Sequence, residues 1–163
     1  MCQKIFRLLG TKSIDRPLWV NMGRLVVHLH GKTKNKSLSN LISEYQDRLA
    51  SISMKILTYS DKLSALEFIK KIPDNGETIL LDEGGQEFDS VGFAKFVGSK
   101  QISSQDTHFL VGPAQGWDGV ERDDYMRLSL SKMTMPHELA SLVLIEQIYR
   151  ATEINKGSNY HKF

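Results

Sequence analysis

The stretch Asn159-Tyr160-His161-Lys162 brings a phenol, an imidazole and an ammonium together near the end of the chain. Such groups can recognise a phosphate, stack on a base or handle a proton. A terminal polar tail is by default disordered, so the trio needs a surface to work against. His137 opens an apolar helical run, where the helix dipole disfavours its charged form. It can contact a substrate or cap the turn, and taken alone it reads as a cap. Glu146, deep in the same run, reads as partly exposed or ion-paired. Asp82 and Glu83 are adjacent carboxylates, but no neighbouring His or Cys spacing supports a metal.

Two loops offer backbone rather than side-chain chemistry. Gly112-Pro113-Ala114-Gln115-Gly116 follows an apolar strand, and glycines there let the main chain approach a ligand closely. It matches neither the dinucleotide fingerprint nor a phosphate-cradling loop. Ser131-Lys132-Met133-Thr134-Met135-Pro136 mixes small polar residues with two thioethers. Its main chain could hold an adenine while the methionines pack on the ring. The plainer alternative is that Met133 and Met135 fill core.

These segments need a scaffold, and hydrophobic periodicity supplies one. Strands are expected at Leu25 to His30, Met54 to Thr58, Thr78 to Asp82, Phe109 to Val111 and Leu128 to Leu130. Leu38, Leu41, Ile42, Tyr45 and Leu49 mark one helix, with Ser37 or Ser39 as its cap. Leu63 to Lys71 marks a short one, and a third, capped by Ser90, carries Val91, Phe93, Ala94, Phe96 and Val97. The last begins near Pro136 and is apolar nearly all round, so it is buried in the subunit or against a second copy. The order, β-α-β-α-β-α-β-(α)-β-α, predicts an α/β fold: a parallel sheet covered by helices on both faces. The loops after Asp82, Val111 and Leu130 then meet at the carboxyl edge, where such sheets bind ligands. The tail is long enough to fold back over them as a lid.

Bulk properties narrow the class. A chain of 163 residues suits one domain. Residues 22–163 read as that domain, and residues 1–21 as a poorly ordered extension without a signal-peptide core. A single cysteine excludes an intramolecular disulfide. No apolar run approaches the roughly 20 residues that span a bilayer, so a cytoplasmic protein without membrane partners is expected. Residues 1–75 hold 13 Lys/Arg against 6 Asp/Glu, and residues 76–163 hold 8 against 13. A polyanion could dock on one side, although the charge is spread enough to read as a solvated surface.

Three blocks read together resemble one family. Leu128 to His137, Glu146 to Ala151 and Tyr160 to Lys162 match the C-terminal signature of the large-subunit ribosomal RNA methyltransferase H family of the SPOUT superfamily. Ile79 to Asp82 with Gly85, and His108 to Gly116, are similar to its two upstream loops. The resemblance covers residues 22–163 and is strongest after Thr78.

The resemblance implies a C-terminal trefoil knot, a feature that general folding rules would not suggest. It implies S-adenosylmethionine as cofactor, a homodimer, no metal, and large-subunit ribosomal RNA in the assembled ribosome as partner. The reaction would be methylation of N3 of a pseudouridine in helix 69 of that RNA. Leu81, Gly112, Gly116, Ser131, Lys132, Met133, Thr134, Met135 and Pro136 would hold the cofactor, largely by backbone, and His137 would contact substrate. Tyr160, His161 and Lys162 would complete the catalytic site near the partner subunit. Departures are visible too. Pro113 supplies no N–H where the family has a second glycine, Gln115 replaces a common acid, and Ser141 stands where the family has arginine. Alternatives are another RNA nucleotide as target, or a cofactor-binding, ribosome-associated protein without catalysis.

Overall fold

In the computed structural model, which describes residues 23–161, Leu25–His30 forms strand β1 and is buried at every position. Burial along a whole strand requires cover on both faces. The remaining elements are α1 (Lys36–Leu49), a 3-10 turn (Ala50–Ile52), β2 (Lys55–Tyr59), α2 (Ala65–Ile69), β3 (Gly76–Glu87), α3 (Ser90–Ile102), β4 (Asp106–Val111), β5 (Met126–Ser129) and α4 (His137–Asn155). The strands form one parallel sheet in the order β2-β1-β4-β3-β5. The expected α/β fold with helices on both faces is therefore present.

The two faces are covered unequally. Alternation sends Leu25, Val27, Leu29, Ile79, Phe109 and Val111 into a core with Ile42 of α1, Phe93 and Val97 of α3, and Leu144, Ile145 and Ile148 of α4. Leu80 and Leu110 face the other way, onto Ala65 and Phe68 of α2 and onto Trp117. The helix expected between β4 and β5 is not formed. Residues 112–125 are turns, and the Trp117 ring, stacked 6.3 Å from Phe68, provides the cover instead.

Helix starts also depart from expectation. Asn35, not Ser37 or Ser39, caps α1, its side chain accepting from the Ser37 and Leu38 amides at 2.9 and 3.2 Å. Asp89 rather than Ser90 caps α3. In both places one polar residue upstream reaches the same free amides, which local sequence alone does not rank. Strand β3 runs on through Gly84 and Gly85, beyond the expected end at Asp82. Both Leu81 and Gln86 stand opposite Leu128, so residues 82–85 form a bulge between two paired segments.

Candidate functional site

The carboxyl ends of β3, β4 and β5 and the start of α4 enclose a cavity of about 410 Å³, a size typical of small-molecule sites. Each wall follows from local chemistry. The bulge in β3 turns Asp82 and Glu83 out of the ladder and into the cavity lining. Asp82 is paired with Arg127 and accepts the Gly84 amide at 2.8 Å. Burial opposes its ionisation, but the Gly84 amide and the Arg127 guanidinium outweigh that and hold the carboxyl below its ordinary range.

Gly112 forms the second wall. A Cβ on it would lie 2.6 Å from the Trp117 ring, so only glycine permits this packing. The Trp117 indole N–H donates to the Leu81 carbonyl at 2.7 Å and ties the end of β3 to the loop after β4. Beyond Gly112, the Gly116 amide donates to the Pro113 carbonyl at 2.9 Å, and Gly116 adopts a positive φ of 83°. That turn is the conformational reason for a glycine there.

The third wall is the Ser131–Pro136 loop. The Ser131 hydroxyl accepts the Met133 amide at 3.0 Å, and the Thr134 hydroxyl donates to Glu83 at 2.7 Å across the cavity rim. His137 follows as the first residue of α4, with Pro136 at the cap position making no side-chain cap bond. Burial pushes its imidazole below the usual range, and His30 acts in the same sense. The backbone of Gly112, through a hydrogen bond, and Glu138 oppose the shift.

Of the residues singled out from the sequence, Leu81, Gly112, Gly116, Ser131, Met133, Thr134, Met135 and His137 line this cavity. Lys132 points elsewhere, 3.7 Å from Glu87 and largely exposed, and Pro136 lies outside the lining. Among the described residues of the tail, Tyr160 and His161 do not line the cavity as a lid would. Tyr160 packs edge-on against Tyr149, with its hydroxyl 3.0 Å from Glu146 and 3.3 Å from Tyr45. Arg150 lies over the Tyr160 ring and 3.4 Å from the His161 imidazole. Helix α4 rises about 1.5 Å per residue, which sets Tyr149 roughly 18 Å from His137. Burial pushes the Tyr160 phenol far up, and its bonds to Tyr45 and Glu146 add to this. Lys162 and residues 1–21 lie outside the described residues.

A family model described as predicted SPOUT methyltransferase matches residues 24–161. This chain belongs to the SPOUT methyltransferase family. Its relatives include proteins named ribosomal RNA large subunit methyltransferase H. The one from Protochlamydia amoebophila is 39% identical over 135 residues, covering 81% of this chain and 94% of the relative. That from Koribacter versatilis is 37% identical, covering 80% and 92%, and that from Prochlorococcus marinus 35% identical, covering 88% and 99%.

Most of the residues that line this cavity stand out in the sequence, but the ones that support its walls do not. Trp117 carried no local signal, because its role depends on Leu81 and Gly112. Arg127 was equally silent, although it also reaches the Val120 carbonyl at 3.2 Å and braces the bulge from beneath. Ser141 is buried and donates to the His137 carbonyl at 2.9 Å, closing on its own helix. Among the described residues, no group of three or more His, Cys, Asp or Glu is placed to hold a metal. No helix among them is long and apolar enough to cross a membrane.

Proposed function

We propose that this chain methylates N3 of a pseudouridine in helix 69 of large-subunit ribosomal RNA, using S-adenosylmethionine, as a cytoplasmic homodimer acting on assembled ribosomes. The observation that carries the choice of donor is the cavity lining. Among the described residues it presents the carboxylates of Asp82 and Glu83, no Lys or Arg, and apolar walls from Leu81, Val111, Leu128, Leu130 and Met135. Such a surface suits a cationic sulfonium with an aromatic base and disfavours phosphorylated cofactors. Bound there, the donor supplies an electrophilic methyl group on positively charged sulfur.

The chain's own part is to hold and align. The Gly112–Gly116 and Ser131–Pro136 loops offer backbone groups, and the Thr134–Glu83 bond holds two walls together. Alignment of the methyl carbon with an acceptor nitrogen accounts for much of the rate of such transfers. The names of the relatives support ribosomal RNA as substrate. In the proposed dimer the partner's tail, with Tyr160, His161 and Lys162, closes the site, and the C-terminal segment threads the family's knot.

A second target nucleotide is the alternative that Ser141 favours, since it supplies no cation where the family places one. Calorimetric titration with S-adenosylmethionine should show binding. Transfer of labelled methyl should require ribosomes that carry pseudouridine. Equal labelling of ribosomes lacking pseudouridine would move the target, and no heat with the donor would remove the proposal.

A further inference from the structure

An RNA strand carries a phosphate at every nucleotide, and a protein holds it by neutralising several of them with Lys or Arg. Among the described residues that line the cavity there is neither. In the proposed dimer the partner's tail brings Lys162 to the mouth, one ammonium against a run of phosphates. Cations outside the cavity are needed, and the flanks of the mouth differ in sign. The connection from β4 to β5 exposes four carboxylates, Asp118, Glu121, Asp123 and Asp124. Its one guanidinium, Arg122, donates to the Gly84 carbonyl at 2.7 Å. On the third wall Lys132 lies 3.7 Å from Glu87. The connection from β1 to α1, Gly31-Lys32-Thr33-Lys34-Asn35-Lys36, exposes three ammonium groups and holds no acid.

Two observations put this basic loop beside the cavity. Leu29 of β1 pairs with Val111 of β4, which lines the cavity. The loop therefore leaves the same sheet edge one strand away, about 5 Å. At its far end the Lys34 and Asn35 amides donate to the Glu138 carboxylate at 2.7 and 3.1 Å. Glu138 directly follows His137, itself a cavity residue. The two amides hold the Glu138 carboxyl below its ordinary range, so the tie is in place at neutral pH. A loop already tied to the wall leaves less to order when a strand binds. The ammonium groups keep their charge, since Glu138 is engaged with main chain. Lys34 has Asp61 at 3.9 Å, and both side chains are largely exposed, so that pair is weak.

Resting on the function proposed above, we propose that the 31–36 loop docks the sugar–phosphate backbone of the substrate RNA, with Lys32, Lys34 and Lys36 on phosphates beside the target nucleotide. The Cα atoms of the three lysines span at most about 14 Å, within reach of neighbouring phosphates on one strand. Such contacts set position and register and leave the choice of base to the cavity. The acidic 118–124 flank repels the same backbone, so the strand approaches from the β1 side.

The test compares wild type with a loop variant carrying Lys32→Gln, Lys34→Gln and Lys36→Gln. A control carries Lys55→Gln, Lys70→Gln and Lys71→Gln, which removes the same charge from exposed positions at the amino edge of the sheet. Protein labelled at its single cysteine is titrated with ribosomes, with and without pseudouridine, and anisotropy is read from about 50 to 200 mM salt. The loop variant should bind both kinds of ribosome about 10-fold or more weakly, with a log–log salt slope lower by about 2 to 3. In methylation its KM should rise while kcat holds, and its affinity for S-adenosylmethionine in calorimetry should match wild type. The control should keep wild-type affinity and slope. Unchanged ribosome binding in the loop variant would overturn the proposal, as would an equal loss in the control or a loss of donor affinity. Amine acetylation of wild type, read by mass spectrometry, decides the matter without a variant. Ribosomes should protect Lys32, Lys34 and Lys36 and leave Lys55, Lys70 and Lys71 reactive; loop lysines that stay reactive would refute it. If wild type transfers no methyl, or transfers it without pseudouridine, the function proposed above fails, while the salt titration and the acetylation pattern still decide for or against the loop.

Discussion

At the centre of the sheet His28 and His108 have both ring nitrogens engaged, whereas His137 stands at the cavity mouth. His28 Nδ1 meets the Tyr59 hydroxyl at 2.9 Å, and its Nε2 meets His108 Nδ1 at 2.9 Å. His108 Nε2 meets the Asn75 side-chain oxygen at 2.9 Å. The Asn75 amide donates to Asp106 at 3.0 Å, and Asp106 is paired with Arg24 at 2.6 Å. That oxygen can only accept, so every proton upstream has one direction: Tyr59 to His28, His28 to His108, His108 to Asn75. His108 cannot take a second proton while the His28 Nε2–H points at it, and His28 can do so only if the Tyr59 hydroxyl turns from donor to acceptor. The central pair is locked in a chain of bonds, whereas half-buried His137 lines a cavity. Buried His30, with Nε2 on the Leu63 carbonyl at 2.7 Å and outside that lining, is a reminder that an unengaged ring nitrogen does not by itself mark a chemical histidine.

If the cavity is the working region, Gly112→Val should have the largest effect. The added side chain collides with Trp117, so S-adenosylmethionine binding in calorimetry should be lost. The overpacking itself should cost about 1–3 kcal/mol in denaturant unfolding.

The network predicts a different loss. Burial pushes His28 down to about 4, with His108 adding to the effect, and burial lowers His108 as well. The unfolded chain then binds protons that the fold refuses. Stability is complete above the ordinary histidine range near 6.5 and falls as pH drops toward 4, by about 3 kcal/mol for His28. Urea unfolding at a series of pH values checks this, and His28→Leu should flatten the slope without changing donor affinity at pH 8. A variant that weakened binding instead would erase the distinction between the regions.

The smallest effect is expected at the rim. Thr134→Val removes the bond to Glu83 and should weaken donor binding about 3-fold, leaving stability within about 0.5 kcal/mol. A much larger loss would mean that the Thr134 hydroxyl contacts the donor itself.

The tail sharpens the same contrast between local and distant information. Tyr160, His161 and Lys162 stood out as a reactive trio, and within the chain Tyr160 and His161 pack around Glu146, Arg150 and Tyr149 at the far end of α4. Glu146, expected to be ion-paired, is so, with Arg150 at 2.7 Å. His137, read alone as a cap, lies in the cavity wall beside Gly112.

Strand and helix positions, parallel order and the meeting of three loops at one sheet edge could be read from the chain, because alternation, helical period and turn residues are local properties. The bulge at Asp82 to Gly85, the Trp117 ring under Gly112, the Arg127 brace and the direction of protons from Tyr59 to Asn75 could not. Each depends on partners far apart in sequence, 36 residues for Trp117 with Leu81 and 80 for His28 with His108. Such partners become neighbours only when the sheet pairs and its faces close, and no pattern within a few residues encodes which atoms then meet.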